Sequence, residues 1–328
     1  MLARLAENLF TAGRDIERAE ATARMVDITY HSLLESPSGE QGEAWAQLHE
    51  VLGTVAQPDD DPLARLVLDR AEPGSVLASV TRAREHVRSV RELVSTELWE
   101  VINDLHLTLA TTGLARQVDE QPYHLLAGVR RACLTIYGVA SDTMPRDEAW
   151  RFLALGRLLE RAAMTCRLVH VHHQRLEELS GPSRRLGLGG DLVALEPGPG
   201  DFHQWVTVLK SAAALEAYRR RYPASMDPAD VVEFLLLEPD LPRSVAFCLT
   251  GARLQLEALA PGRRSRAVRE VGRASASLTY RDVSELFAMG LAPFLLDIQA
   301  RMQRVDAAIA GEFFRHHPSG ALHAIASP

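Results

Sequence analysis

The chain has 328 residues, 47% hydrophobic, 6% aromatic and 24% charged, with a formal net charge of −7. That is enough for two ordinary domains or one large helical body, and the acidic balance argues against a general nucleic-acid binder. No stretch approaches the ~18 apolar residues of a membrane span. The opening MLARLAENLF has neither the apolar core nor the cleavage site of a signal peptide, so a cytoplasmic protein is expected.

Residues 2–35 read as one long amphipathic helix, with Leu9, Ala12, Ile16, Ala19, Ala23 and Val26 in one apolar column. The polar run 37–44 ends it, and shorter helices follow from Trp45 and over 63–70. Pro73, a favourable first-turn residue, is expected to open a long helix over 73–95 that continues, with a kink, through STELWEVINDLHLTL. A helix from Pro122 to Gly138 precedes a second long one over 148–179, whose column is Phe152, Leu155, Leu159, Ala162, Cys166 and Val169. The Gly- and Pro-rich stretch 180–201 reads as a flexible loop. Helices near Trp205, over 263–278 and over 281–314 complete the body, and 316–328 reads as a disordered tail. No alternating apolar pattern indicates a strand, and the fold class is all-α. Cys133, Cys166 and Cys248 lie far apart in apolar settings, as reduced core thiols do.

A charged run occurs twice, as GRDIERAEATARMV (13–26) and GRLLERAAMTCRLV (156–169), with eight of fourteen positions identical. This predicts an internal duplication: repeat one over about 1–143, repeat two over about 144–315, related by a pseudo-twofold and packed as one helical-bundle body. At a second offset, Pro73, Ser75, Val76, Thr81, Ala83 and Arg84 recur as Pro242, Ser244, Val245, Thr250, Ala252 and Arg253. Gly13 and Gly156 sit beside the seams and would admit a close helix crossing.

The second copy is apolar almost all round, which predicts burial of Glu160, Arg157 and Arg161 and obliges them to find partners. In the functional reading, Glu17 or Glu160 is a general base and Arg14, Arg18, Arg157 and Arg161 hold a carboxylate or phosphate. In the structural reading, which physical chemistry alone favours, the same residues form a network that docks the two halves. Arg84, Arg88 and Arg91 read as a row of guanidiniums on one helix face, a candidate anion-binding surface. Glu97 and Asn103 flank Trp99 downstream, where surface carboxylates beside a packed ring are the plainer reading. There is no phosphate loop, dinucleotide fingerprint or nucleophile motif, and the spacing of His170, His172 and His173 is no metal signature, so no metal site and no cofactor of the chain's own are expected.

These segments, with the ARE-HVR-SVRELVSTELWEVIN run, DEAWRFLALGRLLERA, EAYRRRYP and FLLLEPDLPRSVAFCL, resemble the bacterial alpha-E domain family across nearly the whole chain. Thr11 departs from it, standing where family members usually carry an aromatic residue. Arg14, Glu17, Arg18, Arg84, Arg88, Glu97, Trp99, Asn103, Trp150, Arg157, Glu160, Arg161 and Arg243 match the family's motif positions. The resemblance implies a setting in which such proteins accompany a circularly permuted ATP-grasp ligase, often with a transglutaminase-like protease. ATP and Mg²⁺ would then be used by the partner in forming a peptide or amide bond. Three roles follow in order: accessory subunit of such a ligase, enzyme using the motif glutamates as base, and plain scaffold. Homo-oligomerisation stays open.

Overall fold

The computed structural model describes residues 1–35, 41–56, 61–111, 113–184, 199–223, 226–262 and 264–314. Among these there is no strand, and the fold is all-α. The elements are α1 (Ala3–Glu35), α2 (Gln41–Leu52), α3 (Pro62–Leu68), α4 (Val76–Arg88), α5 (Thr96–Leu109), α6 (Leu114–Glu120), α7 (Pro122–Thr143), α8 (Glu148–Arg184), α9 (Pro199–Ser211), α10 (Leu215–Arg221), α11 (Pro228–Leu236), α12 (Val245–Leu259), α13 (Arg266–Thr279), α14 (Val283–Ala288) and α15 (Leu291–Ile309), with a last π turn over Ala310–Phe314.

The two long helices are the axis of the molecule. α1 packs on α8, α4 and α7, and α8 packs on α1, α12 and α15. Every member of the two apolar columns is buried. So are Leu153, Met164 and Leu168 outside the α8 column, because neighbours cover α8 on several sides. The helices touch at their glycines. A methyl group on Gly13 would overlap the carbonyl oxygen of Leu153, and one on Gly156 would overlap that of Phe10. Only glycine lets the two backbones meet this closely.

The same local chemistry appears twice along the chain. Ser75 caps α4, its oxygen accepting from the Ala78 amide at 3.1 Å, and Ser244 caps α12, accepting from Phe247 at 3.0 Å. Thr22 donates to the Gly74 carbonyl and Thr165 to the Arg243 carbonyl, at 3.1 and 3.0 Å. Buried Leu125, Leu126, Val129, Cys133 and Ile136 of α7 each lie 169 residues before buried Phe294, Leu295, Ile298, Met302 and Val305 of α15.

Several expected boundaries move. Pro73 does not open α4, because Ser75 supplies the capping oxygen and the helix starts at Val76. α4 ends at Arg88, a short 3₁₀ turn covers Arg91–Leu93, and Ser95 caps a new helix by accepting from Leu98, so 73–109 is two helices and not one kinked helix. The expected helix 281–314 breaks at Gly290, whose φ of 86° is left-handed. Helices α6 and α10 were not anticipated, and α7 runs five residues beyond Gly138 to Thr143. Of the expected loop 180–201, residues 180–184 continue α8 and 199–201 begin α9; residues 185–198, like the tail 316–328, lie outside the described residues. The three cysteines are free and buried.

Candidate functional site

The charged runs of α1 and α8 meet across the glycine crossing, and each glutamate is held by the arginines of the other helix. Arg161 grips Glu17 with both nitrogens of its fork, Nε to Oε1 at 2.6 Å and a terminal nitrogen to Oε2 at 2.8 Å. Arg243, just before α12, adds a third bond to Glu17 Oε1 at 3.0 Å, and Arg157 Nε stands 3.6 Å from Oε2. Glu160 receives Arg14 Nε at 2.9 Å on Oε2 and Arg18 Nε at 2.8 Å on Oε1. Both glutamate side chains are only 1% exposed.

Burial alone would raise the pKa of Glu17, but Arg161 and then Arg243 outweigh it and hold the carboxyl down to about 2. Burial likewise opposes ionisation of Glu160, and Arg18 and Arg14 prevail, so its pKa is also lowered. The arginines answer in kind: burial works against the charge on Arg14, and Glu160 and Asp306 raise its pKa regardless. A carboxylate so stabilised is a firm ion-pair partner and a poor proton acceptor.

The network is wider than its motif. Arg14 also donates to Asp306 of α15 at 2.9 Å. Glu20, one turn along α1 from Glu17 and 1% exposed, takes Arg243 at 3.2 Å and Arg24 through its other oxygen. Arg167 is the α8 counterpart of Arg24, yet among the described residues it has no carboxylate partner and donates to the Val51 carbonyl at 2.8 Å. Glu20 could have been read from its spacing after Glu17; nothing local marks Asp306, which lies 292 residues from Arg14. Beside Glu17, Arg161, Arg243, Thr165 and Ser211 line a cavity of about 10 Å³, room for about one water.

The remaining expected site residues lie apart from this network. Arg84 and Arg88 share α4, but Arg91 belongs to the following 3₁₀ turn, so no single helix carries the row. Arg84 and Arg91 instead converge on the Trp99 ring, 5.4 and 5.8 Å from its centroid. Arg84 donates to Asn103 Oδ1 at 2.9 Å, while Glu85 takes both Arg84 and the exposed Arg88. Glu97 is exposed on α5. Trp150 is half-buried on α8 with Arg146 stacked 4.2 Å from its centroid.

No group of three or more His, Cys, Asp or Glu among the described residues could hold a metal ion, and no helix among them is long and apolar enough to cross a membrane.

No solved structure matches this chain. The chain is 25% identical over 332 residues to the uncharacterized proteins Rv2567 of Mycobacterium tuberculosis and Mb2597 of Mycobacterium bovis. The alignments cover 90% of this chain and 35% of each relative, so the chain spans about a third of the length of these curated relatives. The family model called Alpha-E, described as a predicted alpha-helical domain with a conserved ER motif, matches residues 1–314. Glu17-Arg18 and Glu160-Arg161 are the two such pairs at the crossing of α1 and α8, and the chain belongs to the alpha-E family.

Proposed function

We propose that this protein is a non-catalytic helical partner of an ATP-grasp amide ligase, and that its doubled ER motif is the clamp between two duplicated halves related by a pseudo-twofold. The observation that carries the clamp is the reciprocity of the ion pairs across the crossing: Glu17 of α1 is held by Arg161 of α8, and Glu160 of α8 by Arg14 and Arg18 of α1. The low pKa of Glu17 and its three hydrogen bonds weigh against its service as a general base, so the partner reading stands ahead of the enzyme reading.

The partner assignment draws on the family setting stated above and on the relatives' greater length, which leaves room beside an alpha-E segment for further domains. In this reading the protein is cytoplasmic, carries no cofactor of its own, and leaves ATP and Mg²⁺ to the ligase; a transglutaminase-like protease acts in the same system. In the same reading Arg84 and Arg91 around Trp99, with the exposed Arg88 of α4, contact the ligase or its anionic substrate.

The test is co-purification of this protein with the ATP-grasp ligase of its own genome, followed by ATP consumption with amino acids and short peptides, with and without this chain. Binding and mutual dependence support the proposal. A ligase that is fully active and unbound in this protein's presence overturns it.

A further inference from the structure

The two halves of the ER network are neutralised differently. Arg14 and Arg157 are equivalent residues of the two charged runs. Arg14 has two carboxylates, Glu160 and Asp306, each at 2.9 Å. Among the described residues Arg157 has no hydrogen-bond partner: its Nε is buried and unsatisfied, and Glu17 at 3.6 Å is already taken by Arg161 and Arg243. The reason is visible in the second offset. Asp306 of α15 lies 169 residues after Tyr137 of α7, the spacing that relates Pro73 to Pro242 and the buried face of α7 to that of α15. Where one half supplies a carboxylate, the other supplies a ring. The Arg157 guanidinium stacks on that ring at 3.7 Å from its centroid, while Tyr137 Oη donates to the Gly13 carbonyl.

Four guanidiniums (Arg24, Arg157, Arg161 and Arg243) thus meet two carboxylates (Glu17 and Glu20) in this half. Arg24 Nε is a second buried donor without an acceptor. Such a surplus of charge in a poorly solvated place costs stability unless an anion offsets it. Burial, and then the like charge of Arg161, hold the Arg157 pKa below its ordinary value. The Arg157 side chain is nevertheless 29% exposed, although its Nε is buried.

We infer that Arg157 is the anchor of an anion-binding site that takes a carboxylate, seated on the fork stacked over Tyr137 and filling the role that Asp306 fills for Arg14. A planar fork held flat against an aromatic face matches a carboxylate's two oxygens. This deepens the partner reading by naming the side chain that receives the carboxylate-bearing group, but it is tested on the isolated chain, so it can fail while the ligase assay succeeds, and the reverse.

The experiment measures the melting temperature of the full chain in sodium succinate against sodium chloride at matched ionic strength, with inorganic phosphate as comparison, for wild type, Arg157→Gln and Arg14→Gln. The expected result is a succinate-specific rise for wild type. Arg157→Gln melts at or above the wild type in chloride and loses that rise, whereas Arg14→Gln melts lower and keeps it. No succinate rise, a rise retained in Arg157→Gln, or an Arg157→Gln loss matching that of Arg14→Gln each overturns the inference. A rise given by phosphate alone overturns the carboxylate class. As a readout independent of folding effects, the Nε–H resonance of Arg157, assigned by its absence in Arg157→Lys, is expected to move with succinate and not with chloride; an unmoved resonance counts against the site.

Discussion

Gly13 of α1 lies directly on the Leu153 carbonyl of α8, leaving no room for a Cβ, and Gly156 stands in the same relation to Phe10. The whole charged crossing depends on that approach. Gly13→Ala and Gly156→Ala, ordinarily mild changes in a helix, are expected to force the backbones apart and lengthen every ion pair between them, costing about 3 kcal/mol or more. Gly128→Ala, inside α7 with nothing within 4 Å of the new methyl, should instead be neutral or stabilising by up to about 1 kcal/mol. Chemical denaturation midpoints of the three variants check the contrast.

Removing one member of a buried ion pair strands the other. Glu17→Gln leaves Arg161 without its acceptor charge and Arg243 with Glu20 alone, and Glu160→Gln leaves Arg18 without one and Arg14 with Asp306 alone, so each should lose about 3–5 kcal/mol. The double change Glu17→Leu with Arg161→Met should recover part of the loss, because matched apolar groups escape the desolvation cost. Arg88→Ala, whose partner Glu85 is also exposed, should stay within about 0.5 kcal/mol of wild type. A variant series in urea separates these outcomes.

Acid should destabilise the protein in two stages. Burial lowers the pKa of His172 from 6.5 to about 4, so between those values the unfolded chain binds the proton that the folded chain refuses. Stability therefore falls as the pH drops through that window, His172 alone accounting for about 3 kcal/mol at most, and His86, His106, His170 and His173, also lowered by burial, act in the same direction. Glu17, lowered from 4.5 to about 2, keeps its full contribution above pH 4.5 and loses it as the pH falls towards 2. Denaturation midpoints followed from neutrality downward should show both stages, and His172→Gln should make the upper one shallower.

The C-terminal turn is fastened by one carboxylate. Glu312 Oε2 accepts from Ser265 Oγ at 2.9 Å and from the Ala267 amide at 3.2 Å, at the start of α13, while Phe313 meets Phe152 edge-on and Phe314 lies tilted against Phe10. Glu312→Gln should cost about 1 kcal/mol, and amide exchange should rise first in the opening turn of α13.

The axis of this fold was legible because its signals are local. The apolar columns of α1 and α8, the glycines beside them and the repeated charges all stand at fixed spacing within eighteen residues, and the structure buries those columns and joins those charges. Helix starts were less legible, since Pro73 is permissive of a first turn whereas the Ser75 oxygen satisfies an amide, and the bond decides. Arg91 was misassigned to α4 for a related reason: charge spacing continued past Ser89 although the helix did not. Asp306 was illegible, because choosing it as the partner of Arg14 requires knowing that α15 lies along α1.

The crossing also dictates an order of events at the ribosome. Glu17 must wait 144 residues for Arg161 and 226 for Arg243, so the face of α1 that meets α8 stays open even after α4 and α7, which cover its other sides, have been made. Separations of this kind slow folding, and an uncovered apolar column invites aggregation meanwhile. Asp15, Glu17, Glu20 and Asp27, all buried in the finished molecule, are spaced along that waiting helix. Before they become clamps they are its solubilising charges, and a chain whose α1 carried amides in their place would face its longest exposure without them.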